Sequence, residues 1–212
     1  KTLQISLFLA LQRSDAPTAP TLIVCPVILL KNWQDEIRKF FQAEAFEPMV
    51  VLYDDGLRKR KVGDRLDTTD LRSAAYVLTN YETLQAYQQS LLTIDWNIVV
   101  LDEAHKIKNP DTYTARAARG LKRRFAIAAT GTPVENRLGD LWSLYDFLSP
   151  GNPFTSVKDF EKAYESDLEF GIERVRAALS YPSQRSTLMR RTKDQVLDLK
   201  GKTEKVHHIT MT

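Results

Sequence analysis

Apolar residues gather into five short, nearly unbroken runs: Thr21–Val27, Met49–Tyr53, Tyr76–Thr79, Ile98–Leu101 and Phe125–Ala129. Runs this short and this uniformly apolar predict parallel strands covered on both faces. Between them the period lengthens. In Leu30–Phe41, the residues Leu30, Trp33, Ile37 and Phe41 share one helical face, and Lys31, Asp35 and Arg38 lie outside it. Tyr81–Leu92, Thr112–Leu121 and Leu138–Leu148 also carry a helical pattern. Strands alternating with helices predict βαβ units, hence an α/β fold with a parallel sheet flanked by helices. After Pro150 the pattern changes. Residues 151–190 hold no strand-like run, and Asp159–Glu165 and Ile172–Leu179 read as amphipathic helices on either side of Phe170–Gly171. The expected organisation is therefore an α/β body over 1–150, a helical insertion over 151–190 and a polar closing segment over 191–212.

Composition narrows the class without naming a function. The 212 residues are 43% hydrophobic and 27% charged, a globular and not a disordered profile. The length suits one large domain, or one domain with a small insert. No apolar run approaches the ~20 residues needed to span a bilayer. The residues after Lys1 form an amphipathic stretch with no signal-peptide pattern. Cys25 is the single cysteine, which excludes an internal disulfide and fits a reducing compartment. A net charge of +3 is compatible with nucleic acid but does not require it, because clustering of charge on a face is what matters. There is no internal repeat at solenoid spacing and no low-complexity segment.

The candidate chemistry lies at the ends of the apolar runs. Ile98-Val-Val-Leu-Asp-Glu-Ala-His105 drives a strand straight into two carboxylates. Ligands of open α/β sheets sit at the carboxyl ends of strands. There Asp102 suits Mg²⁺, which takes few carboxylates together with phosphate oxygens. Glu103 suits the orientation or deprotonation of an attacking water. The plainer reading is a strand end followed by an acidic helix cap. Lys1-Thr2 opens a largely apolar helix through Leu3, Ile5, Leu7, Phe8, Leu9 and Leu11. A lysine and a hydroxyl at a helix start are the closing residues of a phosphate-binding loop. Ala129-Thr-Gly-Thr-Pro133 follows another strand, and reads either as a γ-phosphate-sensing loop or as a tight turn on Gly131 and Pro133.

Taken together, these segments resemble the helicase-like ATPases of superfamily two, and within them the SWI/SNF-type DNA-translocating family. Asp102-Glu-Ala-His-Lys-Ile-Lys-Asn-Pro110 is similar to that family's acidic (DEAH-type) motif with its basic, asparagine-containing tail. Thr130-Gly-Thr-Pro-Val-Glu-Asn-Arg-Leu-Gly-Asp-Leu-Trp-Ser-Leu144 resembles its third motif and extension, with Phe147-Leu-Ser-Pro150 in register. Leu22–Pro26 leading to Asn32, Trp33 and Glu36 resembles the second motif, and Thr79–Leu84 the next. Leu188-Met-Arg-Arg-Thr-Lys-Asp-Gln-Val196 resembles the block joining the two motor lobes. The resemblance runs from Lys1 to about Glu204.

It implies a RecA-like first lobe that binds ATP and Mg²⁺ against a second lobe and moves along double-stranded DNA, in some members remodelling a DNA-bound protein complex. It implies that Lys1 and Thr2 end the nucleotide loop, with Thr2 and Asp102 serving Mg²⁺ and Glu103 serving the hydrolytic water. His105, Thr130, Gly131 and Thr132 couple nucleotide to the DNA-facing surface. Pro26, Lys31, Asn80, Tyr81, Asn136, Arg137, Arg190 and Arg191 lie in DNA-tracking motifs, although Asn80 and Tyr81 also read as a helix cap and its packing neighbour. The glycine-rich part of the loop and the second lobe lie outside these 212 residues. The arginines such a lobe supplies are worth ~10³–10⁵ in rate, so the chain alone is expected to be inactive.

Other features bear less weight. Arg58-Lys-Arg-Lys61 with Arg65 is the densest basic run, but Asp54, Asp55 and Asp64 surround it, which favours a solvated loop over a phosphate-binding patch. His207 and His208 lack further ligands at metal spacing. Trp33 and Trp142 read as core residues, not base-stacking platforms. Another superfamily-two motor, such as an RNA helicase or restriction-type translocase, and a degenerate docking lobe are the rival readings. Val134–Arg137 and the short helical insert point to a bacterial source and a cytoplasmic, nucleoid-associated setting; a eukaryotic source would place the protein in the nucleus.

Overall fold

Each of the five apolar runs becomes a strand in the computed structural model: β1 (Thr21–Cys25), β2 (Met49–Leu52), β5 (Tyr76–Asn80), β6 (Trp96–Asp102) and β7 (Arg123–Ala129). Two short strands not expected from the pattern, β3 (Lys61–Val62) and β4 (Arg65–Leu66), form a separate antiparallel hairpin. The helices are α1 (Thr2–Arg13), α2 (Val27–Phe40), α3 (Asp54–Arg58), α4 (Thr69–Ser73), α5 (Tyr81–Ala86), α6 (Gln88–Leu91), α7 (Tyr113–Gly120), α8 (Leu138–Leu148) and α9 (Val157–Tyr164). The structure describes residues 1–13, 19–131, 138–150 and 156–164. All of them fall in one unit, Lys1–Glu165. Thr132, Asn136, Arg137, Arg190, Arg191, the helix expected at Ile172–Leu179 and the pair His207–His208 lie outside the described residues.

The main sheet has the order β2-β5-β1-β6-β7 and every neighbouring pair is parallel. Alternate side chains divide between two cores, as strand geometry dictates. Ile23, Cys25, Leu78, Ile98 and Val100 face α1 and α2, through Leu9, Leu30, Trp33 and Ile37. Leu22, Val24, Val77, Val99 and Leu101 face α5, α7 and α8, through Leu84, Ala115, Ala118, Leu144 and Phe147. The amphipathic face read from the sequence of α2 is the buried one: Leu30, Trp33 and Ile37 are inside and Lys31, Asp35 and Arg38 outside.

Two expectations need correction and a third is refined. β7 is not covered on both sides: it is an edge strand among the described residues, and Phe125 is 53% exposed. The single helix expected over Tyr81–Leu92 breaks at Tyr87, whose φ of −114° and ψ of 27° are not helical. The basic run Arg58–Lys61 with Arg65, expected as a solvated loop, is largely exposed but sits within a folded lobule over 54–73. The lobule is held by buried Leu66 and Leu71 and by the Leu66 amide donating to Ser90 Oγ at 2.9 Å. Its entry is tight. A Cβ on Gly56 would sit 2.0 Å from the Val51 carbonyl oxygen, so α3 needs glycine there to pack on β2.

Candidate functional site

The parallel register brings the carboxyl ends of four strands to one edge of the sheet. Cys25 is level with Asn80, Val24 with Leu101, and Asp102 with Ala129. Chemistry collects at this edge because backbone groups running off the strands there are no longer used by the ladder.

β6 delivers Asp102 into this edge at 4% exposure. Its carboxylate is held twice: Oδ2 accepts from Trp33 Nε1 at 2.9 Å, and Oδ1 accepts from the Glu103 amide at 3.0 Å. Both donors are neutral N–H groups. The chain then reverses sharply. Glu103 takes a left-handed conformation, φ 53° and ψ 49°, before a short 3-10 turn over Ala104–Ile107. A left-handed non-glycine residue costs of order 1 kcal/mol or more, and such strain gathers at functional positions. Here it swings the Glu103 side chain out of the strand line and toward the start of α1.

Lys1 meets it there. Lys1 Nζ lies 3.3 Å from Glu103 Oε1. The Lys1 carbonyl accepts the first bond of α1 from the Ile5 amide at 3.0 Å, so the lysine is tied to the helix it opens. Gly131, just beyond β7, approaches the same ammonium: a Cβ there would stand 3.9 Å from Lys1 Nζ. The amine, the acid pair and the small-residue loop thus converge from positions 1, 102–103 and 131. His105 Nδ1 lies 3.1 Å from Glu103 Oε2. That contact lacks hydrogen-bond geometry and becomes an ion pair only when the imidazole is protonated. Thr2 is half-buried in the first turn of α1, and Thr130 is half-buried between β7 and Gly131.

The DNA-tracking expectations divide. Pro26 precedes α2 and is half-buried, and Lys31 is exposed on that helix, free to meet a partner. Asn80 and Tyr81 take the cap and packing positions that the sequence also offered. Asn80 is 2% exposed and spends its side chain as an N-cap, accepting from the Thr83 amide at 2.7 Å. Tyr81 is 4% exposed and donates its hydroxyl to the Asp102 carbonyl at 2.8 Å. Both side chains brace the edge from inside. Burial, and then the negative charge of Asp102, push the Tyr81 hydroxyl pKa well up. The same two causes push the Cys25 thiol to about 12.

The donor set suits a hard cation that binds phosphate as well. No cluster of three or more potential metal ligands exists among the described residues, which therefore form no all-protein cage for zinc or calcium. Asp102 offers one buried carboxylate whose two N–H partners leave a lone pair on each oxygen. That matches the few protein ligands Mg²⁺ requires when phosphate oxygens and water complete its shell.

The chain matches the SNF2-related domain family over residues 1–212. It belongs to that family. Among its relatives is the Zorya protein ZorD of Escherichia coli O139:H28, 37% identical over 96% of this chain. The SWI2/SNF2 ATPase core of Sulfolobus solfataricus, solved in complex with double-stranded DNA, superimposes with a TM-score of 0.74 at 32% identity over 91% of this chain and 38% of that one. A second structure of that core domain gives 0.70 at 31% identity, over 91% of this chain and 37% of that one. The parallel five-stranded sheet flanked by helices is thus the fold of a SWI/SNF-type first RecA-like lobe. The SNF2-related lobe spans about a fifth of the length of the curated relatives it matches.

Sequence reading missed two supports of the site. Trp33, taken only as core, is fully buried yet hydrogen-bonded to Asp102. The available signal was chemical: a buried indole N–H needs an acceptor. Arg119 clamps the segment after the acidic pair onto α8. It donates to the Pro110 carbonyl at 2.8 Å and to Ser143 Oγ at 3.2 Å, and pairs with Asp146 at 3.3 Å. Ser143 in turn donates to the Ile107 carbonyl at 2.5 Å. No local pattern around Arg119 announces this.

Proposed function

We propose that this chain is the ATP-binding first lobe of a double-stranded-DNA translocase, and that Lys1, Thr2, Asp102 and Glu103 form its hydrolytic half-site. The supporting observation is the meeting of Lys1 Nζ, Glu103 and Gly131 around one point at the sheet edge. An ammonium there neutralises phosphate charge. Thr2 and Asp102 would hold Mg²⁺, which when bound draws negative charge off the reacting phosphate. Glu103 orients a water and accepts its proton. Lys1 does not stay with Glu103 once phosphate is present. It exchanges a half-exposed carboxylate for a more highly charged partner and releases Glu103 to act as base. The left-handed turn at Glu103 fixes that side chain beside, and not behind, the buried Asp102.

DNA is met by the exposed side of α2 at Lys31, by Pro26, and by Asn136, Arg137, Arg190 and Arg191. A helical insertion over 151–190 and a linking block over 191–212 lead to a second lobe that closes the cleft and supplies the remaining positive charge. Hydrolysis then opens and closes the lobes and advances them along the duplex. No described helix is long and apolar enough to cross a membrane; the working place is wherever the duplex lies, the nucleoid of a bacterial cell in our reading.

The test uses the intact protein. ATP hydrolysis should depend on Mg²⁺ and rise with duplex DNA. Lys1→Ala should abolish nucleotide binding, and Glu103→Gln should keep binding while stopping turnover. Stimulation by single-stranded RNA but not duplex DNA would move the protein to another class of superfamily-two motor. Wild-type turnover in Glu103→Gln would remove the assignment of the base.

A further inference from the structure

Asp102 is gripped from both layers of the fold. From the α1–α2 side, the Trp33 indole N–H donates to its Oδ2 at 2.9 Å. From the α5–α7–α8 side, the Tyr81 hydroxyl donates to its backbone carbonyl at 2.8 Å. The two anchors belong to different cores: Trp33 packs with Ile23, Cys25, Leu30 and Ile37, and Tyr81 with Val24, Leu84, Leu101 and Ala104. Trp33 is on α2, directly after β1, the neighbour of β6; Tyr81 opens α5, directly after β5, which lies one strand further on.

A buried carboxylate is free to rotate about its Cβ–Cγ bond unless both oxygens are engaged. Here the indole takes Oδ2 and the following amide takes Oδ1. The plane is fixed, and the remaining lone pairs point in set directions. Trp33 is 0% exposed, so no water competes for its N–H. Outer partners of this kind set ligand orientation, and their loss typically costs about 10–100-fold in metal affinity or activity.

We infer that Trp33 and Tyr81 are positioning residues for Mg²⁺-dependent nucleotide binding: the indole sets the Asp102 carboxylate plane, and the phenol sets the backbone turn that carries Glu103. This rests on the reading of Asp102 as the Mg²⁺-holding carboxylate. It gives two buried residues, which sequence alone assigns to packing or to DNA, a role at the nucleotide. It also makes α2 a mechanical lever on that carboxylate and α5 a lever on the backbone that carries it. A shift of α2 is felt at the Asp102 side chain, and a shift of α5 at the Asp102 carbonyl, each through one hydrogen bond.

The experiment compares intact wild-type protein with Trp33→Phe and Tyr81→Phe, each of which removes one N–H or O–H and keeps an aromatic ring. Binding of ADP is measured by titration calorimetry with Mg²⁺ and, separately, in EDTA. Wild type should bind more tightly with Mg²⁺. In Trp33→Phe that advantage should fall by roughly ten-fold, with EDTA affinity unchanged. Tyr81→Phe should lose less of the advantage and more of the turnover number, at unchanged KM for ATP. A purely structural role would weaken both binding arms alike and lower the melting midpoint in parallel.

A Trp33→Phe protein with the full wild-type Mg²⁺ advantage overturns the inference. Should Trp33→Phe fail to fold, Tyr81→Phe decides: unchanged binding and turnover in that variant overturn it equally. A wild-type protein that shows no Mg²⁺ advantage instead overturns the assignment of Asp102 itself.

Discussion

Two charged regions of the lobe are built on opposite principles. At the end of β6, the partners of the acid pair come from far along the chain: Trp33 and Asp102 are 69 positions apart, Lys1 and Glu103 are 102. In the lobule over 54–73 the pairs are local. Arg58 bridges to Asp54 and Asp55 within one turn of α3, and Arg60 reaches Asp70 at 2.5 Å. The first set is fixed by the fold and partly shielded from water. The second follows from neighbouring sequence and stands mostly in solvent, where ion pairs contribute little and salt screens them. Density of charge is therefore a poor guide to chemistry in this molecule. The run with the most basic residues is paired locally through Arg58 and Arg60, and the cation that meets the acid pair is a single lysine just before α1.

Substitutions sharpen this contrast. The largest effect belongs to Glu103→Gln in the intact protein, where loss of the base should lower the turnover number about 10²–10⁴-fold while nucleotide still binds; single-turnover assays check it. Next comes Trp33→Ala, which deletes a fully buried ring and strands a carboxylate acceptor. It should cost about 3–5 kcal/mol, read as a shift in the denaturant midpoint. Arg119→Ala should cost less, about 1.5–3 kcal/mol, through loss of its bonds to Pro110, Ser143 and Asp146.

A fourth expectation concerns pH. Burial, with the charge of Asp102 beside it, raises the Cys25 thiol to about 12. A raised thiol pKa keeps the group protonated, so at pH 8 the native thiolate fraction is about 10⁻⁴. Iodoacetamide should leave Cys25 unmodified in the folded lobe and alkylate it promptly in denaturant, as mass spectrometry reports. The smallest effect is Arg58→Ala, whose stability change should be slight at low salt and vanish at high salt. A stability loss there matching that of Trp33→Ala would break the comparison.

Much of the sheet was legible in the sequence, for a plain reason. The β1 and β6 runs are almost wholly apolar because both faces are covered, and they are too short to be helices. The acid pair stood out because a buried strand rarely ends in two carboxylates. The hairpin β3–β4 was not legible, since two residues per strand carry no period to read. Nor was the exposed side of β7: Phe125 looks as apolar as any core residue, and only its place at the sheet's margin leaves it half in water. At the site, Asn80 and Tyr81 read either as DNA-tracking residues or as a cap and its packing neighbour, and the fold turns both side chains inward. The roles of Trp33 and Arg119 depend on contacts across 69 and 24 positions respectively, which no local window contains.

The span between Lys1 and Glu103 has a consequence for biosynthesis. Helices and the lobule 54–73 need only nearby residues, so they form early. The parallel ladder from β1 through β6 must close before the lysine and the acids become neighbours, and such non-local pairings form late. A chain whose ladder has not closed therefore carries Lys1, Asp102 and Glu103 without bringing the lysine and the acids together.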